Sequence, residues 1–192
     1  MVEIIVKKLK VKSFSIRITP DGRAELRVPL RTSRQTIDEV IRRYRPKIEE
    51  MALKRQQAAE EYGEVPPLDP DSLNRYAEQT CLLLNDRLGG LAEQIGVTYH
   101  NVRIKKLVSR WGSCSGKNNL NFNCLLSLLP PDVADYIMVH ELCHLKQLNH
   151  SPAFWAEVEQ ALPDYRQSER WLKRYGGVLL GQLRRTEEEQ HG

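Results

Sequence analysis

The sequence predicts an α+β fold in which a central helix lies beside a small β-sheet, preceded by an N-terminal β-hairpin and long helices. Three observations predict it. Two separate regions, 14–28 and 97–126, carry strand-like runs broken by turn residues. Three longer stretches, beginning near 33, 71 and 131, repeat apolar residues at helical spacing. The last of these, Val133 to Leu148, is apolar on nearly every side, as befits a helix running through the middle of a domain.

Glu3 to Lys10 alternates weakly and Phe14 to Ile18 cleanly. Pro20-Asp21-Gly22 then turns the chain, since Gly accepts positive φ, and Ala24 to Val28 returns as the second hairpin strand. Thr32 or Ser33 caps a helix with Ile37, Val40, Ile41, Tyr44 and Ile48 on one stripe, which Pro46 should kink or divide. The three prolines of Gly63–Pro70 mark a linker. Asp71 or Ser72 caps the next helix, which stops at Gly96, with Gly89-Gly90 as a weak point. A strand through Val102 and Ile104 and another over Leu120 to Leu126 should form a hairpin before the central helix. Pro130-Pro131-Asp132 suits the first turn of that helix. Ser151-Pro152 starts another, Leu162-Pro163-Asp164 breaks it, and Gly176-Gly177 should close the last, leaving a tail through Glu187-Glu188-Glu189 with no core-forming pattern.

Composition narrows the setting. Four cysteines, Cys81, Cys114, Cys124 and Cys143, form no CxxC pair, which points to reduced thiols. Met1 to Lys10 lacks the apolar core of a signal peptide or membrane anchor, so a soluble cytoplasmic chain is expected. Residues 1–60 hold fifteen Lys or Arg against eight Asp or Glu, and the remainder fourteen against seventeen. The basic part could attract nucleic acid, which gives an alternative function: a nucleic-acid-associated protein, or a protease acting on nucleic-acid-bound proteins. Yet its cations alternate with apolar residues or adjoin Glu, as solvated faces of strands and helices also do.

Residues 140–150 carry the chemistry. His140 and His144, four apart on a helix, bring two imidazoles to one ion, while Glu141 reaches a water beside it without ligating. This H-E-x-x-H arrangement is that of zinc hydrolases, with Glu141 as general base. A catalytic zinc takes three protein ligands. His150 is the third candidate, provided the chain leaves the helix and turns back, which a left-handed Asn149 would allow. Its spacing matches metzincins with Gln147 in place of their glycine; Glu157 or Glu159, as in gluzincin-like sites, is the competing ligand.

Arg110-Trp111-Gly112-Ser113-Cys114, Leu120-Asn121-Phe122-Asn123, Leu129-Pro130-Pro131, the histidine motif, Asn149-His150-Ser151, Phe154-Trp155 and Trp171-Leu172-Lys173 resemble the YgjP-like metallopeptidases, relatives of the SprT-like and WLM proteases. The resemblance implies a zincin-like domain over 71–177, following a hairpin and basic helix layer at 1–62 and followed by a tail at 178–192. It implies Zn2+ held by His140, His144 and His150, and hydrolysis of a protein or peptide substrate. In such a site an edge strand holds the peptide, with Leu120 to Asn123 as candidate, and Trp111 either lines the groove or packs. Tyr136, Tyr165 and His100 are candidates for stabilising the oxyanion; Glu157, Glu159, Asp164 and Glu169 are candidates for orienting the histidines.

Overall fold

The computed structural model describes residues 1–19, 21–66 and 68–190. Pro20 of the expected turn, Pro67 of the linker and the Glu187–Glu189 side chains lie outside what is described. Two compact units divide the chain, Met1–Val65 and everything from Pro66 on.

In the first unit, β1 (Ile4–Leu9), β2 (Ser15–Ile18) and β3 (Ala24–Pro29) form a sheet of order β1-β3-β2. The expected hairpin is the antiparallel β2–β3 pair, and β1 adds parallel to β3. Gly22 takes φ 83° in the turn. Alternation sends Ile18, Ala24, Leu26 and Val28 to one face, where Ile37, Ile48 and Ala52 of α1 (Arg34–Tyr62) cover them. Ser33 caps α1, its side chain accepting from Thr36 N at 3.1 Å. Pro46 does not divide α1, whose buried stripe continues on both sides of it.

Glu25, 3 % exposed, sits on the other face with Lys7, Arg17 and Arg27 paired to it at 2.8, 3.1 and 2.6 Å. Burial alone would raise this carboxyl. Hydrogen bonds from Lys7, Arg27 and Arg17 outweigh it and hold the pKa down to about 2. Three of the basic residues that could have recruited nucleic acid thus solvate a buried carboxylate.

In the second unit α2 (Pro70–Ile95) begins two or three residues earlier than expected: Asp69 is the cap, accepting from Ser72 N at 3.0 Å, and Pro70 occupies the first helical position. Gly89-Gly90 leaves α2 unbroken because Leu84, Leu88, Ala92 and Ile95 are buried around it. The second sheet departs from expectation. It has three strands, β4 (Asn101–Lys105), β5 (Gly112–Cys114) and β6 (Asn119–Asn123), in the order β4-β6-β5. The hairpin is β5–β6, closed by Asn118 at φ 55°, and β4 lies parallel to β6. Thr80 of α2 ties the sheet's exit in place: its hydroxyl donates to Cys124 O at 3.0 Å and accepts from Ser127 N at 3.1 Å.

α3 (Pro131–Cys143) crosses the middle of the unit, buried on nearly all sides, with Cys143 fully packed. Arg87 of α2 clamps its outer face through Asp135 at 2.6 Å. α4 (Pro152–Ala161) follows, capped by Ser151, and α5 runs from Tyr165 to Gln190. The Gly176-Gly177 pair does not end α5, because Leu179 and Leu183 beyond it are fully buried. Each contributes roughly 1.5–3 kcal/mol by leaving water, enough to carry the helix across two glycines that cost about 1 kcal/mol each. Among the described residues no helix is long and apolar enough to cross a membrane.

Candidate metal centre

α3 ends at Cys143, five residues short of the expected Leu148. Bonds from Leu145 N to Leu142 O and from Lys146 N to Cys143 O, both 3.0 Å, tighten the chain into a turn. The turn brings the Gln147 carbonyl 3.0 Å from His144 Nδ1. A carbonyl only accepts, so Nδ1 carries the proton and Nε2 keeps its lone pair for a cation. Asn149 is not left-handed: among the described residues only Asn118 is a non-glycine at positive φ. Instead its side-chain oxygen accepts from Ser151 N at 3.2 Å, a side-chain turn that reverses the chain without αL backbone.

The reversal places His150 Nε2 3.1 Å from His140 Nε2. One ligand atom from each of His140, His144 and His150 lies within 4.8 Å of the others. Metal–nitrogen bonds of about 2.0–2.1 Å at tetrahedral angles separate neighbouring ligands by about 3.3 Å, so the closest pair already fits a common ion. The donors suit a cation in charge state as well. Burial, helped by the other two rings, holds the His140 imidazole neutral with a pKa of about 3, and burial also lowers His144.

Phe154, fully buried, is the floor of this cluster. Its ring centroid lies 4.9, 4.5 and 4.9 Å from those of His140, His144 and His150. Trp155 flanks His140 and His150 at 6.1 and 5.9 Å. The Ser151 cap therefore does more than start α4; it delivers the aromatic pair that packs beneath His150.

Glu141 is 6 % exposed and faces β5. A Cβ on Gly112 would stand 2.6 Å from both Glu141 Cγ and Oε1, so only glycine lets the carboxylate rest against that strand. Burial pushes the Glu141 pKa up to about 8, with the charge of Arg110 opposing it. A cation bound by the neighbouring imidazoles would oppose that upward shift. Substituting Gly112→Ala is expected to displace this carboxylate and lower kcat about 100-fold, on the scale of a 1 Å misplacement, with metal content unchanged. Peptidase assay beside metal analysis checks it; wild-type kcat would refute the positioning role.

The cluster opens into a cavity of about 460 Å³, with the three histidines, Glu141 and Leu148 on one side and Ser109, Arg110, Gly112, Ser113 and Cys114 on the other. The edge strand here is β5. Leu120 to Asn123, the expected peptide-holding edge, is the central strand β6, paired on both sides. Bonds from Asn123 N to Trp111 O and from Ser115 N to Asn119 O put residues 111, 113 and 115 in the hydrogen-bonded pairs, so Gly112 and Cys114 turn their backbone groups away from β6. The loop before β5 is pinned from two sides: Asn123 Nδ2 donates to Leu107 O and Arg110 O at 2.6 and 2.9 Å, and Arg184 of α5 donates to Val108 O at 2.7 Å.

Several expected participants lie elsewhere. Trp111 is buried and packs on α5, where Gly176 leaves room for its indole: a Cβ there would stand 2.9 Å from Nε1. Tyr136 and Tyr165 are buried and stack on each other, Tyr136 packing edge-on against His140 at 5.8 Å, but neither they nor His100 line the cavity. Glu157 pairs with Lys146 at 2.8 Å, Glu159 with Arg166 at 3.7 Å and Glu169 with Lys173 at 2.6 Å. Neither these carboxylates nor Asp164 reaches His140 Nδ1, which has no hydrogen-bond partner among the described residues. What sequence reasoning missed is Arg110, the cation lining the cavity, and Gly112. Their signal was the chemistry of Arg-x-Gly beside a glutamate that needs a close backbone.

A buried glutamate next to three converging imidazoles, one within α3, one at its C-cap and one in the loop beyond, in an α+β domain, defines the class of metal-dependent hydrolases. The family model for the YgjP-like metallopeptidase domain matches residues 69–175, more than half of the chain, and the protein belongs to that family. The metallopeptidase zymogen of Pyrococcus abyssi abylysin is similar at 28% identity, over 47% of this chain and 92% of its own, with a TM-score of 0.43. No curated protein matches.

Proposed function

We propose that the protein is a zinc endopeptidase in which His140, His144 and His150 hold the ion and Glu141 is the general base. The observation that carries this is the convergence of three imidazole nitrogens beside a buried carboxylate at the cavity wall. Three imidazole nitrogens are a donor set that suits zinc. When bound, zinc supplies Lewis acidity, lowering the pKa of water and polarising a carbonyl.

The chain's own residues do the rest. Glu141 takes a proton from the attacking water and returns it to the leaving amine, a role matched by a carboxyl that burial raises and a cation lowers. Arg110, lining the same cavity, supplies the positive charge that the developing oxyanion needs. The outward backbone groups of Gly112 and Cys114 bind an extended peptide as an added strand. The test is incubation of the metal-loaded protein with a denatured proteome and mapping of new N-termini. We expect termini absent from a Glu141→Gln control, and zinc near one per chain; a zinc-loaded protein that generates none would overturn the proposal.

A further inference from the structure

In the first unit, β2 is an edge strand beside an apolar groove. In the β1-β3-β2 sheet, β2 is bonded on one side only. The bond from Thr19 N to Arg23 O, continued through the Arg17–Glu25 and Ser15–Arg27 pairs, assigns residues 15, 17 and 19 to β3. Ile16 and Ile18 therefore turn their N–H and C=O groups outward. Beside this edge, between β2 and α1, lies a groove of about 720 Å³. Ile16 of β2 and Phe14 just before it line one side, and Val40, Tyr44 and Met51 line the other from one stripe of α1. Phe14, Tyr44 and Met51 are exposed large apolar side chains. Unbonded backbone groups next to apolar walls specify an occupant with an extended backbone and apolar side chains on one face.

Charge selects among such occupants. Arg43 and Lys47 line the groove against Glu39, in a unit rich in Lys and Arg. A second copy of the chain pairing β2 with β2 would bring these cations towards their own equivalents. An acidic apolar segment would meet them favourably.

We infer that the β2–α1 groove is an exosite that captures extended, apolar, acidic segments of unfolded protein substrates. The inference rests on the peptidase reading for its purpose, but the binding is measurable without catalysis. Fluorescein-labelled β-casein, an unfolded acidic chain, is the probe, and anisotropy with the full-length Glu141→Gln protein gives Kd. Adding Tyr44→Glu and Met51→Glu, both at exposed positions, is expected to raise Kd at least tenfold. The independent pair Arg43→Glu and Lys47→Glu should weaken casein binding in the same direction. On the otherwise wild-type enzyme, either pair should raise KM for casein and leave cleavage of an eight-residue peptide unchanged. Unaltered Kd in both folded variants would overturn the exosite while leaving the peptidase reading intact. Casein binding that the variants abolish, in a wild type that cleaves nothing, would support the groove and sink the peptidase. Sedimentation showing a dimer that the groove variants dissociate would assign the edge to a second copy and overturn the inference.

Discussion

Glu141→Gln is expected to keep one metal ion per chain and to lower kcat by about 10³-fold, within the range of a lost general base. The substitution is nearly isosteric. That matters here because the side chain occupies space where a Gly112 Cβ would lie within 2.6 Å, leaving little room for anything bulkier. The amide retains hydrogen-bonding capacity but accepts no proton from water. With its pKa raised to about 8, Glu141 takes up a proton when the metal-free chain folds at neutral pH, a cost that Gln does not carry, so the melting temperature of the metal-free protein should hold or rise. Metal stoichiometry, thermal melting and peptidase assay on one preparation make the check. Full hydrolysis by the variant would sink the general-base role.

Loss of His150 is expected to be as damaging by another route. His150→Ala removes one of three converging nitrogens, and metal affinity should fall by more than the 10–100-fold typical of losing a mere orienting group. Activity then disappears at submicromolar zinc and returns only in part at high zinc. The contrast is Glu157→Gln, which breaks a partly exposed pair with Lys146 and should cost at most about 1 kcal/mol of stability, with metal retained. Titration of both variants against a chromophoric chelator compares them directly. Metal lost from Glu157→Gln and kept by His150→Ala would reverse the assignment.

The legible parts of this chain were those that depend on local chemistry. His140, Glu141 and His144 are fixed by helical spacing, and the structure sets them around one cavity. The β2–β3 hairpin and the Ser33 and Ser151 caps follow from turn and capping residues. What failed depended on distant partners. The end of α3 is set by the Gln147 carbonyl swinging back to His144, and the loop beyond it by a side-chain bond from Asn149 rather than by backbone handedness. β5 is three residues long and holds its place through Asn123, so no periodicity announces it. The stretch from 178 looked like a tail because polar residues dominate it. Leu179 and Leu183 fill the core, and Arg184 reaches the loop carrying Arg110.

The brevity of β5 bears on selectivity. Only two of its residues, Gly112 and Cys114, present backbone groups outward, about 7 Å apart, which is one repeat of an extended chain. In the proposed mode of binding, so short a rail would grip the peptide main chain next to the scissile bond and read few neighbouring side chains. An enzyme so built is expected to discriminate by whether a segment is unfolded enough to lie flat against the strand, and only weakly by its amino-acid sequence.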